Sequence, residues 1–187
     1  MKKIRVILVT DGDAIAMKAV EEATVNIGGR CISMSAGNPT PITGPEIVDL
    51  IKSAKHDPVV VMVDDRGHTK IGKGEQAMDY IINNDMIDVM GVIAVASNTK
   101  HVNGVKVDFS IDKNGKLVDC GVDKHGNKKK NHIVIGDTVD ILNKKHLPII
   151  VGVGDPGKMN GRDSAQIGSP VITKAMEEII KTYNKVR

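Results

Sequence analysis

Residues 59–67 read VVVMVDDRG, and this stretch decides the fold class. Its apolar part has no alternating polar residues and is rich in β-branched side chains, which is typical of a central parallel strand covered on both faces. Pro58 comes just before it, at a position where a strand tolerates proline. Asp64 and Asp65 would then stand at the carboxyl end of that strand, where open α/β sheets bind ligands. The plainer alternative is that these aspartates begin a loop or cap the next helix.

Length and composition limit the fold and the partners. A chain of 187 residues predicts one α/β domain over residues 1–187. The net charge of +3 and the aromatic content of 2% argue against a nucleic-acid partner, which would need a basic patch and stacking side chains. No apolar run approaches the length of about 18 residues that a membrane-spanning helix needs. Since no signal-peptide pattern is present either, we expect the protein to be made in the cytoplasm and to stay inside the cell unless a partner carries it to a membrane surface.

Other apolar runs repeat the pattern of the first stretch. Most of them are separated by segments whose apolar residues recur on one helical face, as from Ile15 to Ile27. Alternating strands and helices indicate βαβ units with right-handed crossovers. We therefore predict an α/β fold with a doubly wound, mostly parallel five-stranded sheet. The expected strand order is 2-1-3-4-5, in a flavodoxin-like or toprim-like Rossmann arrangement. The predicted strands cover residues 4–9, 31–36, 59–64, 89–96 and 148–153.

Capping residues mark the starts of several predicted helices. Asp11 or Asp13 can accept hydrogen bonds from the first turn of the first helix. Residues 43–46 read TGPE, with a proline suited to the first helical turn. A short helix is predicted over residues 137–145, and Ser169 is predicted to cap the last helix.

Residues 104–135 do not follow the alternation of strands and helices. Apolar and polar residues alternate over 105–111 and 118–122, and the Asn114–Gly115 pair between them is a strong hairpin signal. We predict a small antiparallel β-meander inserted in the domain, protruding from the main sheet. Such an insertion is suited to pairing with another chain, as in a homodimer. The alternative is a hairpin without a partner.

Several predicted strands end in carboxylates or small polar residues. Parallel strands place their carboxyl ends on one edge, so Asp11, Asp64 and Asp155 should lie along one rim if their strands are neighbours. Carboxylate oxygens bind hard cations, and we expect Mg²⁺ or Ca²⁺ as the cofactor, if there is one, with Asp11, Asp13, Asp64 and Asp65 as its ligands. The candidate ligand-binding residues are Asp11, Asp13, Asn38, Thr40, Asp64, Asp65, Gly67, Ser97, Asn98 and Asp155.

Catalytic motifs give little support to an enzyme. Gly12 is not part of a dinucleotide GxGxxG, the loop after Gly67 does not match the P-loop order GxxxxGK[ST], and the sequence contains no GxSxG. An acidic rim resembles the phosphoryl-transfer centres of toprim and response-regulator folds, but only as a fold-level analogy. A toprim centre would need Glu where the first strand ends, and this chain has Asp11 there. A response regulator would need a lysine at a late strand end, and four residues separate Lys158 from the last predicted strand.

Long segments of the chain resemble the soluble stage V sporulation protein AE family of spore-forming bacteria. The resemblance extends over nearly the whole chain, and the strings SAGNPTP and VASNTK are its most specific parts. The segments that carry it are VTDGD, GGRCISMSAGNPTP, HDPVVVMVDDRG, GVIAVASNTK and GVGDPGKMNGRD.

This resemblance implies a role in sporulation, beside the proteins that move dipicolinic acid with calcium into the spore and out on germination. It implies a forespore or spore location, peripheral to the inner membrane, with other stage V sporulation membrane proteins as partners. No catalytic residue follows from it. We therefore expect a non-catalytic binding subunit, and the alternative is a Mg²⁺-dependent phosphoryl-transfer enzyme or phosphohydrolase.

Overall fold

A seven-stranded sheet with helices on both faces organises the computed structural model, which describes residues 3–66, 71–99 and 101–186. The fold class is α/β, doubly wound and mostly parallel, as predicted. None of the described helices is both long and apolar enough to cross a membrane. The elements are β1 (Ile4–Val9), α1 (Ala14–Asn26), β2 (Arg30–Cys31), α2 (Gly44–Ser53), β3 (Val59–Met62), α3 (Lys73–Ile82), β4 (Ile87–Val95), β5 (Val105–Lys106), β6 (Phe109–Ile111), β7 (Leu117–Val118), β8 (Ile133–Val134), β9 (Ile150–Val153) and α4 (Pro170–Val186).

The strands of the main sheet lie in the order β2-β3-β1-β4-β9-β6-β7, and only β7 runs antiparallel to its neighbour. Numbered by the five predicted strands, the order is 2-3-1-4-5, so the predicted order 2-1-3-4-5 is wrong. β3 is fully buried, and a strand covered on both faces needs hydrogen-bonded neighbours on both sides. The two-residue β2, with an exposed Arg30, therefore lies at the edge, and β3 pairs with β1 in the register Leu8↔Val61.

The second predicted strand, 31–36, is shorter than expected. β2 ends at Cys31 and a 3-10 turn follows over Ser33–Ser35. The hydroxyl of Ser35 accepts a hydrogen bond from Met62 N at 3.0 Å and donates one to Ile32 O at 2.7 Å. The Ser35 side chain thus takes the place of a backbone partner for Met62 N. For this reason the residues after Cys31 do not continue β2, although their sequence pattern is typical of a strand.

Two apolar layers cover the sheet. On one face α1 and α4 pack against the side chains of Ile7 and Val9, while α2 and α3 pack against Val6 and Leu8 on the other. α2 begins with a capping box in which Thr43 and Glu46 bond to each other's backbone N–H. The connections that follow β1 and β3 therefore run to opposite faces of the sheet.

The insertion is built into the main sheet. β5 pairs antiparallel with β8 in a separate small sheet, whereas β6 joins the main sheet parallel to β9. The chain changes sheet at Asp108, whose backbone N–H donates to Ile150 O at 2.9 Å and whose carboxylate accepts from Ile150 N at 2.7 Å. The expectation that residues 105–135 protrude is wrong, because their apolar residues fill both cores, as Ile111 and Val134 do.

Two predictions about helices in the C-terminal part of the chain are wrong. Asp140–Lys144 forms a 3-10 helix where a helix over 137–145 was predicted. The N-terminus of α4 is capped by Asp163, which accepts from Val171 N at 2.7 Å, and the hydroxyl of Ser169 has no hydrogen-bond partner among the described residues. Ser169 has φ of +45°, a left-handed conformation, and does not occupy the usual capping geometry.

Candidate functional site

The carboxyl edge of the parallel strands is called the rim below, and the place between the loops after β1 and β3 is called the crevice. Since these loops lead to helices on opposite faces, they diverge there, as at the switch point of other doubly wound sheets. The loop after β2 closes one side of the crevice. A Cβ on Gly12 would lie 2.5 Å from Gly37 O and 3.2 Å from the Cβ of Asp64. Only glycine allows the three loops to approach this closely.

Three carboxylates converge in this crevice and are called the Asp11 cluster: Asp11, Asp13 and Asp155. One oxygen from each lies within 4.8 Å of the others. Asp13 caps α1 by accepting from Ile15 N and Ala16 N, both at 2.8 Å. The loops after β1 and β9 thus bring Asp11 and Asp155 together, although β4 lies between those two strands.

The charges in the cluster are poorly compensated. Burial is the main cause that raises the pKa of Asp11 to about 8, and the negative charges of Asp13, Asp155 and Asp64 add to it. Burial also raises the pKa of Asp64 to about 6, although a hydrogen bond from Arg66 N opposes this change. Asp64 thus acts on the cluster through its charge without belonging to the three converging groups.

Lys158 supplies the positive charge beside the cluster. Its ammonium group forms an ion pair with Asp155, and the charges of Asp155, Asp11 and Asp13 raise the pKa of Lys158. A tight turn brings it there, with Gly157 N donating to the Asp155 carboxylate at 2.8 Å and Lys158 N donating to Asp155 O at 2.9 Å. Spacing along the sequence places Lys158 beyond the end of its strand and does not reveal this turn.

Asp65 points away from the cluster. Its buried carboxylate accepts hydrogen bonds from Gly74 N at 2.6 Å, from Glu75 N at 2.8 Å and from the Thr138 hydroxyl at 3.2 Å. It therefore caps the first turn of α3, which is the plainer of the two alternatives considered for it. Because consecutive side chains at the end of a strand point to opposite sides, Asp64 faces the crevice side and Asp65 faces α3.

The remaining candidate residues have different surroundings. Thr40 is buried and shapes the crevice, since its hydroxyl accepts from Asp64 N at 2.9 Å. The Ser97 hydroxyl lies 2.7 Å from that of Thr99, and the side chains of Asn38 and Asn98 are exposed. Gly67 lies outside the described residues. Whether any of these residues contacts a ligand stays a prediction.

A cavity of about 550 Å³ lies next to the rim and is called the α3 cavity. It is bounded by the N-terminal half of α3, the segment after β4 and the 3-10 helix at Asp140–Lys144. Of the candidate residues that the structure describes, Asp65 alone lines it. Sequence reasoning missed this cavity because its walls come from three segments far apart in the chain, none with a recognisable motif.

The fold defines the class: doubly wound α/β proteins with a mostly parallel sheet. The family is shown by comparison with family models, because residues 5–182 match the model described as stage V sporulation protein AE1. The chain belongs to this family, so the predicted resemblance is confirmed and a role in sporulation follows. Comparison with curated proteins and with solved structures gave no significant match.

Proposed function

We propose that the chain is a peripheral, non-catalytic subunit of the spore machinery for calcium and dipicolinic acid, and that the Asp11 cluster binds the calcium ion. The observation that carries the proposal is the convergence of three carboxylates in the crevice of a sporulation protein. Oxygen ligands of this kind suit Ca²⁺.

The electrostatics favour a bound cation. A carboxylate with a raised pKa ionises at a cost in free energy, and a divalent cation removes that cost by neutralising the charges around it. Lys158 adds a positive charge at the edge of the same site, where it can pair with a carboxylate of the ligand. The arrangement is thus suited to a calcium ion that still carries an anionic chelator such as dipicolinate.

Isothermal titration tests this proposal with CaCl₂, MgCl₂, dipicolinate and an equimolar mixture of CaCl₂ and dipicolinate. We expect the calcium–dipicolinate mixture to bind more tightly than either component alone. Asp155→Asn keeps the shape of the side chain and should lower calcium affinity by about tenfold or more. Asp64→Asn, which removes a neighbouring charge, should weaken binding less.

Asp85→Asn is the matched control, because Asp85 is exposed and lies just before the start of β4, at the opposite edge of the sheet. It should bind calcium as the unmodified protein does. The proposal fails if the unmodified protein releases no heat with any of the four titrants, or if Asp155→Asn and Asp85→Asn bind equally well.

Association with membrane partners, or of two copies, needs a test that leaves the fold intact. Deleting residues 104–122 would remove β6 from the main sheet, so we replace an exposed residue instead. Leu117 lies on the edge strand β7 with 50% of its surface exposed. If the insertion pairs with another chain, Leu117→Glu should abolish dimerisation in light scattering and weaken recovery of stage V membrane proteins from sporulating cells.

Val25→Glu, at an exposed apolar residue of α1, should change neither result. Equal association of both variants would contradict the proposed use of the insertion.

A second candidate, Mg²⁺-dependent phosphoryl transfer, is favoured by one observation, the placement of Lys158 beside Asp155 and Asp11. A lysine and clustered carboxylates can hold a phosphoryl group together with a metal ion. Incubation with acetyl phosphate and with a chromogenic phosphomonoester in MgCl₂ tests it. Turnover that Asp11→Asn abolishes would favour the enzyme, and a lack of turnover or phosphoprotein would remove this candidate.

A further inference from the structure

The α3 cavity is separate from the Asp11 cluster and has the size of a small-molecule site. Ligand pockets in proteins commonly measure roughly 300–1,000 Å³, and this cavity measures about 550 Å³. Asp65 lines this cavity, but its carboxylate caps the N-terminus of α3. A ligand in the cavity would therefore be recognised by other side chains of the lining.

The described side chains that line the cavity carry an excess of negative charge. One acidic residue, Asp79, forms an ion pair with Lys145, and Asp140 accepts hydrogen bonds from Asn103 N and Gly104 N. These contacts leave the charge balance of the lining negative. Among the lining residues whose contacts are described, the acidic ones are Asp65, Glu75, Asp79 and Asp140, and the lysines are Lys144 and Lys145.

Glu75 is the least compensated of the acidic residues whose contacts are described. It lies half-buried in the first turn of α3, and its carboxylate forms no hydrogen bond or ion pair with another described residue. Burial, followed by the charges of Asp65 and Asp140, raises its pKa, against a smaller opposite effect of Lys144. A positive group placed between Glu75 and Asp140 would be stabilised by both carboxylates.

The carboxylates of this cavity are spread along its walls. Among the described residues, a convergence of three metal-ligating groups occurs in the Asp11 cluster and not here. Apolar side chains also line the cavity, namely those of Ile71, Val102 and Ile141. Negative charges that do not converge, together with apolar surface, suit an extended organic cation better than a compact metal ion.

We propose that the α3 cavity binds a small alkylammonium ligand, with an ammonium group between Glu75 and Asp140 and the alkyl chain against Ile71, Val102 and Ile141. This site is independent of the proposed calcium site. The same chemistry is offered by a free diamine and by the lysine side chain of a peptide, and the experiment below separates these two sources.

The test is calorimetric titration of the unmodified protein with cadaverine, a diamine, and with glutarate, a dicarboxylate of the same length, in metal-free buffer. We expect cadaverine to bind and glutarate not to bind. Glu75→Gln should weaken cadaverine binding by about tenfold, since it removes one charge without removing a structural contact. Lys144→Gln, which removes a competing positive charge, should strengthen binding by about threefold.

Glu22→Gln on α1 is the matched control, because α1 lies on the other face of the sheet, and it should leave cadaverine affinity unchanged. Asp155→Asn should also leave it unchanged, which separates this site from the calcium site. Nα-acetyllysine methylamide is titrated in parallel. Tighter binding of cadaverine identifies a free diamine as the ligand, and equal or tighter binding of the lysine derivative identifies a peptide side chain.

Nuclear magnetic resonance locates the site. Cadaverine should shift the side-chain amide signals of Gln76, Asn103 and Asn143, which line the cavity, and leave the backbone amide of Gly157 in place. The inference is overturned if cadaverine releases no heat, if glutarate binds as well, if Glu75→Gln leaves the affinity unchanged, or if the shifted signals lie elsewhere.

Discussion

The Asp11 cluster and the start of α3 lie on one rim and both contain buried carboxylate, yet their charges are compensated in different ways. At α3, Asp65 accepts hydrogen bonds from two backbone N–H groups and one hydroxyl. In the cluster, three carboxylates share one lysine, and the pKa of Asp11 is raised to about 8. Backbone donors turn a carboxylate into a structural cap, whereas carboxylates facing one another are left able to bind a cation.

The largest effect on stability is expected from removing the carboxylate of Asp65, which caps α3. Asp65→Ala would leave Gly74 N, Glu75 N and the Thr138 hydroxyl without a partner in a buried place. We expect the free energy of unfolding, measured with urea, to fall by about 3 kcal/mol. A loss below about 1 kcal/mol would show that α3 does not depend on this cap.

A smaller loss is expected where the loops of the crevice meet. Gly12→Ala would place a methyl group 2.5 Å from Gly37 O, so the loops after β1 and β2 must move apart. Overpacking of this kind should lower the free energy of unfolding by about 2 kcal/mol. It should also weaken calcium binding, because Asp11 and Asp13 flank Gly12. Gly115→Ala, in an open turn with φ of +74°, is a control for strain without crowding and should leave calcium affinity unchanged.

A gain in stability, and not a loss, is expected when a carboxylate of the Asp11 cluster is neutralised. Asp11→Asn should raise the free energy of unfolding in metal-free buffer at pH 8 by about 1 kcal/mol, because it removes a charge that burial and repulsion disfavour. Addition of calcium should raise the melting temperature of the unmodified protein and leave that of the variant nearly unchanged. A variant less stable than the unmodified protein would contradict the poor compensation inferred for the cluster.

The carboxyl group of Asp11 also makes the stability of the protein depend on pH. The pKa of Asp11 is raised from 3.8 to about 8, so between these values the folded protein binds more protons than the unfolded chain. Stability should therefore fall as the pH rises from 4 to 8. The raised pKa values of Asp64, about 6, and Asp163, about 7, act in the same direction. Denaturation curves across this range should show a shallower slope for Asp11→Asn, and equal slopes would contradict the assignment.

The smallest effect is expected at the hydroxyl that completes the α3 cap. Thr138→Val keeps the branched side chain and removes the 3.2 Å hydrogen bond to Asp65, while both backbone donors to Asp65 stay in place. The expected loss is about 0.5–1 kcal/mol by urea denaturation. A loss as large as that of Asp65→Ala would mean that the hydroxyl, and not the backbone of α3, holds the carboxylate.

Most helices and buried strands could be predicted because their signals are local. The apolar period of α1, the TGPE start of α2 and the unbroken run of β3 are all read within a dozen residues, and the structure keeps each of them. The errors arose where distant groups override local pattern. Ser35 bonds to Met62 and ends β2 early, and Asp108 bonds to Ile150 and divides the alternating stretch between two sheets.

The sequence by itself determined the α/β class, the aspartates at the ends of the strands and the family, because apolar periodicity, chain adjacency and long matching strings are properties of neighbouring residues. Only the tertiary structure decided which aspartates meet. Asp155 and Lys158 reach Asp11 through a turn that crosses the end of β4, and Asp65 turns to α3 although it follows Asp64 directly. Which aspartates lie close together depends on which strand is buried on both faces and on hydrogen bonds between distant segments. Neither can be predicted from the spacing of neighbouring residues.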